Sequence, residues 1–152
     1  MKLRVAVIDG QGGGIGEHII KKLRYGLSDN VEILALGTNA LATAAMMKAG
    51  ADHGASGENA IIINVSKVNC ILGTITIIAP NSMMGEITAK MAEAIVSSPA
   101  KKMLLPINTE NIEVVGVRSE PLPNVINMLV SGISKFIEDA SFARSRSNIL
   151  TS

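Results

Sequence analysis

A cluster of glycines directly after an apolar segment constrains the fold more than any other feature of the chain. Five glycines fall within residues 10–16, behind the apolar run of residues 5–8, and helical spacing starts at Ile15. Glycine tolerates positive φ and lets a ligand touch the backbone, while the first N–H groups of a helix carry partial positive charge. The pattern predicts a strand, a phosphate-binding turn and a helix in succession.

The remaining sequence alternates apolar runs with amphipathic segments. This rhythm predicts strands at 3–8, 31–36, 68–72, 102–105 and 112–117, and helices at 15–26, 40–49, 59–65, 82–98 and from 121 onward. Residues 59–65 could instead form a strand, and Thr88 could cap a helix that starts after a break near residues 85–88. Residues 51–58, which are mostly small, are predicted to form a loop. Strands joined by helical crossovers indicate an α/β fold of three layers, with a mostly parallel sheet of about five strands. We expect one domain over residues 1–140 and a solvated C-terminal tail over residues 141–152.

The glycine spacing distinguishes between the known phosphate-binding turns. The pattern G-x-G-x-x-G fails, whereas G-x-x-x-G-x-G fits Gly10, Gly14 and Gly16, which is similar to the turn of short-chain dehydrogenases. That family's chemistry requires a Tyr with a Lys four residues later, but the only tyrosine is Tyr25 and Asp29 stands at the second position. The residues do not predict that reaction, and a purely structural glycine turn remains the alternative.

Four turns follow successive predicted strands, at residues 10–16, 37–39, 73–74 and 106–108. Such turns converge on one edge of a parallel sheet, and ligands bind in the crevice there. We expect a nucleotide or a dinucleotide such as NAD(P) in this crevice. The segment after the second predicted strand, residues 36–39, supplies neither the acidic residue of an NAD site nor the arginine of an NADP site. The predicted cofactor-binding residues are Gly10, Gln11, Gly12, Gly13, Gly14, Ile15, Gly16, Thr38, Asn39, Gly73, Asn81 and Asn108.

Three carboxylates are candidates for chemistry. Asp9 stands just before the glycines, where it could accept hydrogen bonds from the turn, hold a magnesium ion that bridges to phosphates, or bind a ligand hydroxyl. Glu58 and Glu86 lie among small residues, where a desolvated carboxylate could act as a general base, although acidic residues also favour the first turns of helices. The two histidines and the one cysteine do not predict a transition-metal site.

Composition excludes several functional classes. A net charge of +1 and 2% aromatic residues predict no nucleic-acid binding, and no apolar run approaches the roughly 20 residues of a membrane span. The apolar opening is too short for a signal peptide, and a single cysteine is typical of a reducing compartment, so we expect a cytoplasmic protein. Eight methionines suggest adaptable core or interface packing, and we expect a homo-oligomer.

Five segments spread along nearly the whole chain are similar to those of a known protein family. They are residues 8–16, 36–40, 57–60, 81–88 and 105–108. In these segments the chain resembles an uncharacterised family of short bacterial Rossmann-like proteins, which is classed as a domain of unknown function. The resemblance implies a Rossmann-like fold and no particular reaction. Besides nucleotide binding, two hypotheses remain: an oligomeric sensor or structural protein without catalysis, and an enzyme that acts on a small phosphorylated substrate.

Overall fold

A computed structural model describes residues 2–27, 29–107 and 111–151. The apolar runs rich in Val, Ile and Leu form strands, and the segments with four-residue apolar spacing form helices. In chain order the elements are β1 Leu3–Asp9, α1 Gly14–Gly26, β2 Val31–Gly37, α2 Ala40–Lys48, β3 His53–Ser56, α3 Glu58–Asn64, β4 Cys70–Thr74, α4 Ala89–Ser97, β5 Lys101–Leu105 and α5 Leu122–Leu150, with short 3₁₀ turns at Val65–Lys67 and Ile75–Ile78.

All five strands are parallel and lie in the order β3-β2-β1-β4-β5. From β1 the chain proceeds outward through β2 to β3, then returns to the other side of β1 with β4. The strand order therefore reverses between β1 and β4, and in sheets of this kind ligands bind at the carboxyl ends of those two strands. The predicted three-layer α/β fold with a five-stranded parallel sheet is confirmed.

Alternate residues of the sheet build two separate cores. On one face Val5 and Val7 pack with buried residues of α1 and α5, including Ile19 and Ile133. On the other face Ala6 and Ile8 pack with residues of α3 and α4. Because helices cover both faces, β1 is apolar along nearly its whole length, which explains why the sequence shows a continuous apolar run there.

One of the five predicted strands, at residues 112–117, was wrong. Residues 112–117 form no strand, and their larger apolar side chains are exposed. The sheet contains instead β3, which lies within residues 51–58, the segment predicted as a loop. It pairs with β2 from Leu34↔His53 to Gly37↔Ser56. This short edge strand consists of small and polar residues with no apolar alternation, so only its backbone pairing with β2 makes it a strand.

Two boundaries also differ from the predictions. Gly73 and Thr74 belong to β4 rather than to the turn after it. Residues 141–150, predicted as a tail, continue α5 as exposed helix. The break near residues 85–88 is confirmed, because α4 begins only at Ala89, after Gly85 with φ 89° and the N-cap Thr88, whose hydroxyl accepts a hydrogen bond from Met91 N. The helix predicted for 59–65 is confirmed as α3.

Within the described ranges, no helix combines the length and the apolar character needed to cross a membrane.

Candidate functional site

A cleft of about 720 Å³ opens at the carboxyl ends of β1 and β4, where the strand order reverses. One wall is the glycine turn, and the opposite wall comes from the segments that follow β4. The cleft is of the size that nucleotide-sized ligands occupy in other proteins. Its lining consists of residues 9–15, Thr74, Thr76, residues 79–84, Asn111 and Ile112.

Some backbone N–H groups of the glycine turn, residues 10–16, donate hydrogen bonds to protein acceptors, and others do not. Gly13 N donates to Gly10 O at 2.9 Å, and Gly10 N and Gly16 N both donate to the Asp9 side chain. Among the residues that the structure describes, Gly12 N and Gly14 N donate to no protein acceptor. Both glycines line the cleft, and Gly14 is the first residue of α1, where N–H groups attract anions.

Three of the glycines are closely packed by their surroundings. A Cβ on Gly10 would lie 2.6 Å from Oγ1 of Thr38. Gly13 has φ 74°, and a Cβ there would lie 2.8 Å from Cα of Ala42. A Cβ on Gly16 would lie 2.5 Å from Sδ of Met46. Gly12 and Gly14, in contrast, have open space around the position of a Cβ. The packing of α1 against α2 explains Gly13 and Gly16, but it does not explain Gly12 and Gly14.

Asp9 acts on the turn. Its Oδ1 accepts from Gly10 N and its Oδ2 from Gly16 N, both at 2.8 Å. The side chain is buried, and this burial raises the pKa of the carboxyl although the two N–H groups oppose the shift. The sequence left three roles open for Asp9, and the structure shows one of them: the side chain accepts hydrogen bonds from the turn. The carboxylate thereby locks the start of α1 onto the end of β1.

Glu86 joins the glycine turn to the end of β2. Its Oε1 accepts hydrogen bonds from Thr38 Oγ1 at 2.7 Å, from Asn39 Nδ2 at 2.6 Å and from Gln11 N at 2.9 Å. The Thr38 hydroxyl, followed by the Gln11 N–H, lowers the pKa of the Glu86 carboxyl below its ordinary value. This arrangement favours an ionised hydrogen-bond acceptor over a general base, which needs a pKa near the working pH.

The segment that presents Glu86 has an unusual backbone. Asn81, Met83 and Met84 have φ of 67°, 54° and 56°, and Gly85 has φ 89°. Positive φ is uncommon in residues with a Cβ, especially in long side chains such as methionine, and costs of order 1–3 kcal/mol each. The turn is held by Asn81 N, which donates to Ile87 O at 2.7 Å, and by Met83 Sδ, which packs against Gly10.

The other predicted residues lie in several places. Thr38 and Asn39 lie beside the turn, and Asn39 is also the N-cap of α2, with Oδ1 accepting from Ala42 N at 2.9 Å. Ile15 and Asn81 line the cleft. Gly73 does not line it, because it is buried within β4, where a Cβ would lie 2.9 Å from Ile8 O. Asn108 falls outside the described residues.

Glu58 is separate from the cleft. It is the first residue of α3, directly after β3, and it is not part of the cleft lining. An acidic residue in the first turn of a helix interacts favourably with the helix dipole, as the alternative explanation held. Catalytic roles for Asp9, Glu58 and Glu86 stay predictions.

Thr74 lines the cleft as expected for the turn at residues 73–74, whereas Thr76, Met83 and Met84 line it without having been predicted. Thr74 and Thr76 are buried and share a hydrogen bond between their hydroxyls. A signal for the threonines existed in the sequence, since a Thr-x-Thr pattern at the carboxyl end of a central strand places hydroxyls at the ligand-binding edge. The methionines had been assigned to the core or an interface.

The sheet order, the helices on both faces and the glycine turn at the strand reversal define an α/β protein of the Rossmann-like class. The chain belongs to the family described as a domain of unknown function, DUF3842, whose model matches residues 4–138. The resemblance to an uncharacterised family is thereby confirmed. No curated protein matches the chain.

Proposed function

We propose that the protein binds a nucleotide or dinucleotide in the cleft, with a phosphate group on the glycine turn. The observation that carries this proposal is the pair of unused donors, Gly12 N and Gly14 N, beside the cleft at the strand reversal. Core packing gives no reason for glycine at either position, because open space surrounds both. A ligand that touches the backbone does give a reason.

Two further features support an anionic ligand. Gln11 N already holds a carboxylate oxygen of Glu86, so the turn stabilises negative charge within the protein itself. The Asp9 carboxylate directs both oxygens at backbone N–H groups of the turn, which offset part of its negative charge. A cleft of about 720 Å³, lined by apolar residues such as Ile15 and by Thr74 and Thr76, has the size expected for a dinucleotide such as NAD(P).

A bulky side chain at Gly14 tests the proposal. Gly14→Leu adds a side chain in open space at the first position of a helix, where the fold tolerates it, so we expect unchanged stability and a loss of nucleotide affinity of at least about tenfold. The measurement is the Kd by isothermal titration calorimetry, with the melting temperature as a check on folding.

Ala89→Leu is the matched control, because Ala89 is the first residue of α4, is exposed and lies outside the cleft lining. We expect this variant to bind nucleotide as the wild type does. Equal nucleotide affinity of a folded Gly14→Leu variant would contradict the proposed site.

The second candidate is an oligomeric protein that acts through its surface. The exposure of apolar residues near the C-terminal end of α5 favours this candidate. Phe142 is 64% exposed and Leu150 is 87% exposed. Exposed apolar side chains along one helix are typical of protein contacts. Light scattering coupled to size-exclusion chromatography tests this candidate: a strict monomer at all concentrations would count against it.

A further inference from the structure

We propose that Glu86 reads the ribose of the bound nucleotide, accepting a hydrogen bond from its 2′-hydroxyl and disfavouring ligands that carry a 2′-phosphate or lack the hydroxyl. The inference rests on the proposed function, because Glu86 lies outside the cleft lining itself but accepts a hydrogen bond from Gln11 N, and Gln11 lines the cleft. From the sequence Glu86 was a candidate general base or an acidic residue at the start of a helix, and its position in the structure indicates a third role.

The position of the carboxylate is the first observation. In NAD-binding Rossmann proteins an acidic residue after the second strand holds the ribose hydroxyls. Here β2 ends at Gly37 and is followed by Thr38 and Asn39, which have no carboxylate. Glu86, 48 residues after Thr38, brings a carboxylate to this same place, with Oε1 at 2.7 Å from Thr38 Oγ1. An acidic group missing from the end of β2 is thus supplied by the segment between β4 and α4.

The second observation is the distance of this carboxylate from the glycine turn. Oε1 accepts from Gln11 N at 2.9 Å, and a Cβ on Gly10 would lie 3.3 Å from the same oxygen. The carboxylate therefore lies between the phosphate-binding turn and the end of β2. Gln11, which holds this carboxylate, is the chain neighbour of Gly12, so the ribose of a nucleotide with its phosphate on the unused N–H groups is within reach of Glu86.

The free oxygen of the carboxylate gives the selectivity. Among the described residues, all hydrogen bonds to the Glu86 side chain fall on Oε1, so Oε2 retains its capacity to accept from a ligand. A carboxylate oxygen accepts readily from a hydroxyl, whereas a phosphate offers it only like charge. The ligand class expected is a ribonucleotide with a free 2′-hydroxyl.

The backbone of the segment indicates that Glu86 is held in place. Met83 and Met84 both have positive φ, and Glu86 N donates to Met83 O at 3.1 Å. Unfavourable backbone conformations of this kind occur where a function requires a defined placement. The conformation fixes the point from which the Glu86 side chain reaches the end of β2.

The test compares pairs of probes that differ only at the ribose 2′ position: ATP with 2′-deoxy-ATP, and NAD with NADP. Kd values are measured by calorimetry for the wild type, for Glu86→Gln and for the control Glu93→Gln, which makes the same charge change on the exposed surface of α4. We expect the wild type to prefer the free 2′-hydroxyl by about tenfold or more. In Glu86→Gln the NAD-to-NADP ratio should fall towards one because the negative charge is removed, and the ATP-to-2′-deoxy-ATP ratio should fall less, because a neutral amide oxygen still accepts, but more weakly. Glu93→Gln should keep both ratios.

The outcomes separate the two proposals. A wild type that binds none of the four probes overturns nucleotide binding and the role of Glu86 together. A wild type that binds one pair with equal affinities overturns the role of Glu86 alone and leaves the proposed function standing. If Glu86→Gln instead tightens all probes and inorganic phosphate by the same factor, Glu86 merely occupies an anion site, and the ribose assignment is wrong. The wild-type ratios need no variant, so poor folding of Glu86→Gln does not obscure the result.

Discussion

At the scale of single residues, Asp9 is the carboxylate whose removal should be felt most by the fold. Asp9→Asn keeps the shape of the side chain but has one acceptor oxygen, so one of the buried donors, Gly10 N or Gly16 N, loses its partner. An unsatisfied buried donor costs about 1–3 kcal/mol. We expect the free energy of unfolding in urea to fall by that amount, whereas Asp139→Asn on the exposed side of α5 should change little.

The raised pKa of Asp9 adds a dependence on pH with a defined sign. Because the folded-state pKa lies above the ordinary value of 3.8, the folded protein binds this proton more tightly than the unfolded chain. The resulting stability is complete below pH 3.8 and is lost as the pH rises through the raised pKa. Asn does not titrate, so the difference in unfolding free energy between wild type and Asp9→Asn should shrink over that interval. A difference that grows with pH would contradict the burial of this group.

Cys70 should be chemically silent in the folded protein. It is fully buried in β4, and burial raises the pKa of its thiol to about 12. Thiolate is the reactive form, and very little of it exists at a pH of about 8. We expect mass spectrometry to show alkylation by iodoacetamide only in guanidinium chloride. Complete alkylation of the native protein within minutes would show that β4 opens or that Cys70 is exposed.

At the scale of the elements, the described segment beyond residue 140 should be dispensable for folding. The buried residues of α5 are Val125, Ile126, Leu129 and Ile133, whereas residues 141–150 are exposed. Truncation to residues 1–140 should lower the unfolding free energy by less than about 1 kcal/mol, measured by thermal or urea unfolding. Truncation to residues 1–128 removes Leu129 and Ile133, each worth roughly 1.5–3 kcal/mol, and should leave the chain unfolded.

Local sequence patterns predicted most elements because their causes are local. The apolar runs of β1 and β2, the glycines before α1 and the cap of α2 at Asn39 all lie within a few residues of the structure they determine. β3 was missed because its strand character comes only from pairing with β2. The hydrogen bonds of Glu86 were not predicted for a similar reason: its contact with Gln11 spans 75 residues, and no local pattern encodes such a contact.

At the scale of the whole molecule, the cleft depends on the reversal of strand order between β1 and β4. Segments from four parts of the sequence meet there: residues 9–15, residues 74–76, residues 79–84 and residues 111–112. A ligand that binds across them binds the native state alone, because no unfolded chain brings these segments together. Its binding therefore adds to the stability of the entire domain.

A thermal-shift panel measures this linkage directly. A ligand at a hundred times its Kd stabilises the native state by about 2.7 kcal/mol, which corresponds to a rise in melting temperature of roughly 5–10 °C for a chain of this size. We expect such a rise with one of NAD, NADP, FAD, FMN, ATP or GTP, and a smaller one with inorganic phosphate. Since both Asp9 oxygens accept backbone hydrogen bonds, the rise should be the same with magnesium and with EDTA. A shift that required magnesium would return Asp9 to consideration as a metal ligand, and no shift with any compound would favour the surface-acting oligomer.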